Sequence, residues 1–362
     1  MRYSLYFLFV IGILVVFMSI TTIIKQPAPH IPSVENGVLD LIEVEDLNTS
    51  IVQLDGTWEF YWQIFTQSQE NIGANNTYQT TMYVPGSWEV SHHSEENITN
   101  FGYGTYKLKI LLPENELDKT YGLYITSVAT SYKLWIDDEF IISNGEIGTN
   151  RKEMHPVNYA RTAYFHPKDH TIDITIEVAN FSQRKSGLWE SIYFGSAEEI
   201  SLLREKNVAL QLLVVGSLVI MGIYNIFICL LRRTLIYSMF LGILCLMFAI
   251  RTLLIGDAFL IYLFPHFPWE LQVKLEYLPT VFGLPLMVKY VNELYEEKKF
   301  ILFEKIVLFI SIVFGIFVLV TPAFIYTKYL LLFLIVVPIT LIYFGYIFLN
   351  AFYEKNLHRY LH

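Results

Sequence analysis

Between Val208 and Tyr353 one long apolar segment follows another with almost no polar sequence between them, and this stretch limits the chain more than any other. A helix that crosses bilayer hydrocarbon needs about 20 predominantly apolar residues. By that measure five spans are predicted, over 208–231, 235–255, 275–293, 306–325 and 329–350. Helices on the surface of a soluble domain pair an apolar stripe with a polar face. These segments are apolar all round, so residues 207–353 read as a helical bundle in a membrane.

Charge is distributed unevenly around that bundle. Residues 31–200 hold 25 Asp and Glu against 10 Lys and Arg, while the rest of the chain holds 9 acidic and 15 basic residues. An acidic block flanked by basic membrane segments suits a domain on the side away from the cytoplasm. It also excludes nucleic acid as a partner, because that needs a basic surface. Cys229 and Cys245 are the only cysteines and both fall inside predicted spans, so no disulfide framework can staple the 31–200 region. That region must hold itself by its own core, for which roughly 170 residues suffice.

Arg2 is followed by an unbroken apolar run from Leu5 to Ile24 with no small-residue cleavage site. Residues 1–25 therefore read as an uncleaved signal anchor, with a cleaved signal peptide as the alternative. A proline-containing linker is expected over 26–39. From 40 to 200 the texture changes to short runs separated by turn signals. Strands are predicted over 56–62, 81–86, 104–112, 120–126, 131–137, 139–143, 160–166, 170–180 and 188–195. Tyr106, Leu108, Ile110 and Leu112 alternate with Lys107 and Lys109, one set for a core and the other for solvent. Many strands at such spacing without helical patterns between them predict an antiparallel all-β sandwich of the jelly-roll kind.

Basic residues in short loops set the orientation. Arg232 and Arg233 lie between the first two spans, Lys298, Lys299 and Lys305 between the third and fourth, and Lys355 and Arg359 after the fifth. The intervening loops are poor in them. The sandwich is thus expected outside and the tail 354–362 in the cytoplasm, which makes the protein multi-pass in the cell membrane.

The run LDGTWEFYW, VPGSWE, GYGTYKLKILLP, SYKLWIDDEFIISNGEIG, ITIEVANF and SGLWESIYFG resembles the galactose-binding-like jelly roll that opens family 2 glycoside hydrolases. Asp137-Asp138 stands where those modules carry Asn-Gly. The stretch FAIRTLLIGDAFLIYLFPHFPWELQVKLEYL, with Arg251, Gly256, Pro268, Trp269, Glu276 and Tyr277, is similar to bacterial seven-transmembrane receptors with diverse intracellular signalling modules. That resemblance implies reception outside and an output module inside, such as a histidine kinase, a cyclase or a phosphatase. It also implies seven spans where five are predicted, so the last two spans and the output module are expected to be missing. A homodimer is implied only through a kinase-type output.

Sugar binding calls for aromatic platforms with polar donors. Trp88, Tyr103, Trp135, Asn180, Arg184 and Trp189 are the candidates, and those in the loop after Asn180 are favoured because binding residues concentrate on loops carried by a rigid scaffold. Tryptophans on sandwich strands more often serve packing. No catalytic role is assigned: glycoside hydrolysis needs two carboxylates flanking the bond, and Glu89, Glu95, Glu96 and Glu146 read as scattered surface charge. His92 and His93 are adjacent and point apart on a strand, so no metal site and no cofactor are expected. Charges inside hydrocarbon invite a functional reading. Arg251 and Glu276, opposite in sign near the outer boundary, are expected to form a salt bridge between the second and third spans, and Lys289 to snorkel to the inner interface.

These readings converge on a receptor that senses an extracellular small molecule or glycan through the jelly roll and signals through the bundle to a cytoplasmic partner, with the lipid bilayer as its surroundings. A membrane-tethered glycan-binding or envelope-assembly protein without output is the alternative. A transporter fits less well, although Pro279, Pro285 and Pro338 interrupt two of the predicted spans.

Overall fold

The computed structural model describes residues 32–360 except 45–46, 48, 69–78, 92–97, 115–116, 234 and 296–300. The expected anchor at 1–25 and the start of the linker lie outside the described residues, as do His92, His93, Glu95, Glu96, Lys298 and Lys299.

Among the described residues eleven strands form the first half: β1 (Val38–Asp40), β2 (Val52–Gln53), β3 (Gly56–Trp62), β4 (Gln79–Val84), β5 (Gly102–Leu111), β6 (Tyr121–Ile125), β7 (Ser131–Ile136), β8 (Glu139–Asn144), β9 (Arg161–Phe165), β10 (Thr171–Asn180) and β11 (Ile192–Ser196). Seven build one sheet in the order β4-β3-β5-β10-β7-β8, with β1 on the far half of β5's edge, and the order β2-β11-β6-β9 builds the other. The nine predicted strands are all present. The two extra ones are very short, and β1 pairs parallel with β5 where an antiparallel fold was expected. With Val34 and Leu39 buried, the sandwich begins inside the segment expected to be linker.

Alternation explains the core. Ile172, Ile174, Ile176 and Val178 of β10 and Tyr106, Leu108 and Ile110 of β5 face inward, opposite Leu123 and Ile125 of β6 and Ile192 and Phe194 of β11. Strand β6 is buried at all five positions, because its outer face is covered as well. Residues 137 and 138 join β7 to β8 with φ of 50° and 62°, both left-handed. Such a turn favours Asn-Gly, and Asp137 compensates by accepting the main-chain N–H of Asp173 at 2.9 Å.

A short turn of helix, α1 (Trp88–Ser91), sits within the sandwich, and the helical half comprises α2 (Ala197–Leu231), α3 (Ile236–Leu254), α4 (Phe259–Leu263), α5 (Trp269–Leu294), α6 (Ile301–Val320), α7 (Ala323–Leu334) and α8 (Val336–Tyr360). Among the described residues, four stretches are long and apolar enough to cross a membrane: α2, α3, α6 and 323–351. The third predicted span is a helix, α5, but Glu270, Lys274, Glu276, Lys289 and Glu293 leave it outside that class. The prolines at 279 and 285 lie inside the continuous α5, as membrane helices allow when neighbours satisfy the freed backbone groups. The fifth predicted span straddles a break at Ile335 between α7 and α8. Pro338 falls in the first turn of α8, where its missing N–H breaks no helical bond.

Helices α2 and α3 cross on two glycines. A Cβ at Gly222 would lie 2.8 Å from the side chain of Leu246, and one at Gly242 would lie 2.8 Å from the carbonyl oxygen of Gly222. Close backbone approach of this kind is how helices gain contact where lipid offers no hydrophobic drive.

Candidate functional site

The loop between β10 and β11 is organised by one side chain. Asn180 is fully buried. Its Nδ2 donates to the carbonyls of Asn100 at 2.7 Å, Gln183 at 2.9 Å and Lys185 at 2.8 Å. Its Oδ1 accepts from the N–H of Ser182 and of Gln183, each at 3.3 Å. An amide is the smallest side chain that offers donors and an acceptor together, so Asn180 shapes the turn and keeps nothing for a ligand.

Trp88 supports the loop from beneath. It is fully buried, its indole N–H donates to the Tyr106 hydroxyl at 2.8 Å, and its ring packs edge-on to Trp62 with centroids 5.1 Å apart. Its main-chain N–H donates to Ser186 Oγ at 3.0 Å, and Ser186 donates to Asn100 Oδ1 at 2.7 Å. Gly187, at φ +70°, lies against this contact: a Cβ there would stand 2.4 Å from the Tyr106 hydroxyl. Burial pushes the Tyr106 phenol well above its ordinary value, so it stays neutral. Trp88 thus belongs to the core, where its polar edge is spent, and is corrected from a ligand platform to a support. Tyr103 packs at a tilt of 45° on Phe65 with centroids 4.8 Å apart, and Trp135 packs on Phe140 at 5.9 Å.

Arg184, Lys185 and Trp189 form the outer part of the loop. The Lys185 ammonium sits 3.4 Å from the centre of the Trp189 ring. Burial holds the Lys185 amine below its ordinary value, against the opposing pull of Glu190 and Glu276, and Arg184 adds to the depression. The indole N–H of Trp189 is buried with no acceptor among the described residues. The main-chain N–H of Arg184 donates to Thr327 Oγ1 on α7 at 3.3 Å.

This loop therefore touches the helical half, and it is one of several joints. β11 runs straight into α2, where Ser196 Oγ accepts from the Glu199 N–H at 3.3 Å and Glu198 and Glu199 occupy the first turn. Ile200, fully buried, fills a notch over Gly122, where a Cβ would come within 3.0 Å of it. Tyr124 donates to the Asp257 carboxylate, Gln272 Nε2 donates to the Asn158 carbonyl at 3.0 Å, and the Arg151 guanidinium lies 3.9 Å over the Phe324 ring.

The Arg251–Glu276 salt bridge is replaced by a different contact. Arg251 Nε donates to the main-chain carbonyl of Glu276 at 3.1 Å. The Glu276 carboxylate stands instead within electrostatic reach of Arg251, Lys185 and Glu190, so the loop and the bundle share one charge cluster.

Lys289 is engaged rather than free at the interface: its ammonium lies 2.9 Å from Glu293 and 3.1 Å from Glu304. Asn292, buried, donates to Glu304 at 3.0 Å and accepts from the Tyr343 hydroxyl. This network ties α5, α6 and α8 together. Its sequence trace was the four-residue spacing of Lys289 and Glu293 on one helix face; nothing pointed to Glu304 or Tyr343. Elsewhere Glu89 bonds to Asn100, and Glu146 lies 2.7 Å from His155 Nδ1, both at the surface. No group of three or more metal-ligating side chains occurs among the described residues.

Comparison with known proteins finds a family model for the helical half and solved structures with a weak likeness to the other. Residues 207–361 match the family model described as 7TM diverse intracellular signalling. The helical half is similar to that family, and with four stretches apolar enough to cross a bilayer the chain is a membrane protein. No curated protein matches the chain. Similar solved structures include a family 2 β-galacturonidase from Eisenbergiella tayi (12% identity, 41% of this chain and 24% of that one, TM-score 0.30). They also include a β-glucuronidase from Ruminococcus gnavus (16%, 42% and 30%, TM-score 0.30) and one from Faecalibacterium prausnitzii (13%, 41% and 31%, TM-score 0.30). The chain spans less than a third of the length of each, and the likeness covers the β region.

Proposed function

We propose that this chain is the sensing and transmitting part of a transmembrane receptor. The jelly roll lies outside the cell and takes a small ligand, a carbohydrate first among the candidates, on the loop that Asn180 shapes. The bundle carries the response to the cytoplasmic side, where a signalling partner reads it. The observation that carries this reading is the joint: the sandwich continues into α2 without a linker, and Ile200 is seated against Gly122. A tethered binding module has no use for such a joint, whereas a receptor needs one, because packed elements respond to small displacements as units rather than by yielding.

Hydrogen exchange on the full chain in lipid nanodiscs tests this. Ile200→Ala, which empties the notch, is expected to change exchange at the joint and also at the inner network around Asn292 and Tyr343. A response confined to the joint would show that the halves are not coupled, and the tethered-module alternative would stand in its place.

A further inference from the structure

The loop from Phe181 to Glu190 has its hydrogen-bonding capacity divided unevenly. Its carbonyls at Gln183 and Lys185 are spent on Asn180, and the Glu190 carboxylate accepts from the Thr126 hydroxyl at 2.7 Å. Its two cations make no short ion pair, and the Lys185 ammonium rests on the Trp189 ring. Among the described residues neither the Arg184 guanidinium nor the Lys185 ammonium joins an ion pair, and the Trp189 indole N–H has no acceptor. Two adjacent cations repel each other; Glu190 and Glu276 offset this for Lys185 without a short ion pair, and an anion seated directly between the cations would relieve the rest. Arginine offers a carboxylate two parallel N–H donors. The Trp189 ring under Lys185 supplies the apolar platform a sugar face needs.

From the Arg184 and Lys185 cations, neither in a short ion pair, beside the Trp189 ring on this one loop we propose that the ligand is a sugar acid, its carboxylate held by the two cations and its ring laid on Trp189. This rests on the receptor reading, which it makes specific. It also supplies a route inward. Lys185 shares its field with Glu190 and with Glu276 on α5; a bound carboxylate draws that ammonium away and alters the electrostatic surroundings of a helix that reaches the inner network.

The test is binding to the full chain in neutral phosphatidylcholine nanodiscs, read by calorimetry and by Trp fluorescence. The panel is glucuronate, galacturonate and N-acetylneuraminate, with glucose and galactose as neutral counterparts. At least one acid is expected to bind at least tenfold more tightly than the neutral sugars. R184Q and K185Q are each expected to weaken it about tenfold, and K185R to keep most of the affinity. Neutral sugars binding equally well, with the two glutamine variants unaffected, would overturn the acid assignment and leave carbohydrate sensing standing. Failure of all three acids would overturn it too, and the neutral sugars would then decide the broader reading separately. If R184Q and K185Q change only retention on phosphatidylglycerol vesicles, the cations serve lipid headgroups and the inference fails.

Discussion

Asn180→Asp is the sharpest test of how the loop is built, because it changes chemistry and hardly any volume. The asparagine Nδ2 donates to three carbonyls, those of Asn100, Gln183 and Lys185. A carboxylate there donates nothing and sets its own oxygen against all three. The amide has two N–H hydrogens to share among those carbonyls, so losing two bonds at roughly 1 kcal/mol each removes about 2 kcal/mol before any penalty for burying the charge. For a domain near 150 residues, each kcal/mol moves the melting temperature by about 2–4 °C, so the sandwich should melt roughly 4–8 °C lower. Local opening should rise further. If the loop opens as a unit, about 2 kcal/mol corresponds to a population on the order of 30-fold larger. Trypsin reports this directly, since Arg184 and Lys185 are its cleavage sites, and the full chain in nanodiscs should be cut there about that much faster. A variant with unchanged melting and an unchanged tryptic rate would refute the account of Asn180 as the organiser of the loop.

Gly242→Val should weaken the bundle by about 1–3 kcal/mol through overpacking against Gly222, while Gly216→Ala, with open space around it, should be silent; thermal denaturation in detergent compares the two. Exchanging Arg251 and Glu276 should give no rescue over the single changes, because Arg251 bonds to a main-chain carbonyl, and a recovered double variant would restore the salt-bridge reading. Asp55 is held above its ordinary 3.8 by burial, only partly offset by the Ser191 hydroxyl. The folded state then binds a proton more tightly than the unfolded one, so stability falls as pH rises through the raised value. Asp55→Asn should therefore raise the melting temperature at pH 7, with the advantage shrinking as pH falls toward 3.8, and a constant advantage at both ends would count against it. For orientation, a membrane-impermeant maleimide should label Lys152→Cys but not Lys305→Cys in intact cells, in a background lacking Cys229 and Cys245; the reverse pattern would invert the topology.

The strands were legible because alternation writes both the strand and its face into the sequence. Tyr106, Leu108 and Ile110 point where that pattern sends them. The pattern fails for β1 and β2, whose three and two residues are too few to alternate, and whose existence depends on the edges of β5 and β11. Helices were legible as apolar runs, but their ends were not. α2 starts at Ala197, ahead of its apolar part, because the sandwich supplies its first packing partner. The break at Ile335 carries no polar residue to announce it.

Side-chain roles were harder to read for a physical reason. Trp88 and Trp189 are alike in sequence, each beside a turn and each followed by glutamate. What separates them is whether another group satisfies the indole N–H: Tyr106 does so for Trp88, and nothing among the described residues does for Trp189. Satisfaction of this kind depends on residues far along the chain, which local pattern cannot supply. The same holds at Arg251, where the expected partner was the right residue but the wrong atom. A charge in a low-dielectric setting takes whichever acceptor is already oriented. The carbonyl of Glu276 is fixed by the helix, while its carboxylate lies in the field of Arg251, Lys185 and Glu190. The attraction expected of one pair within the bundle is thereby shared with the Asn180 loop, a partner far along the chain that no local pattern around Arg251 announces.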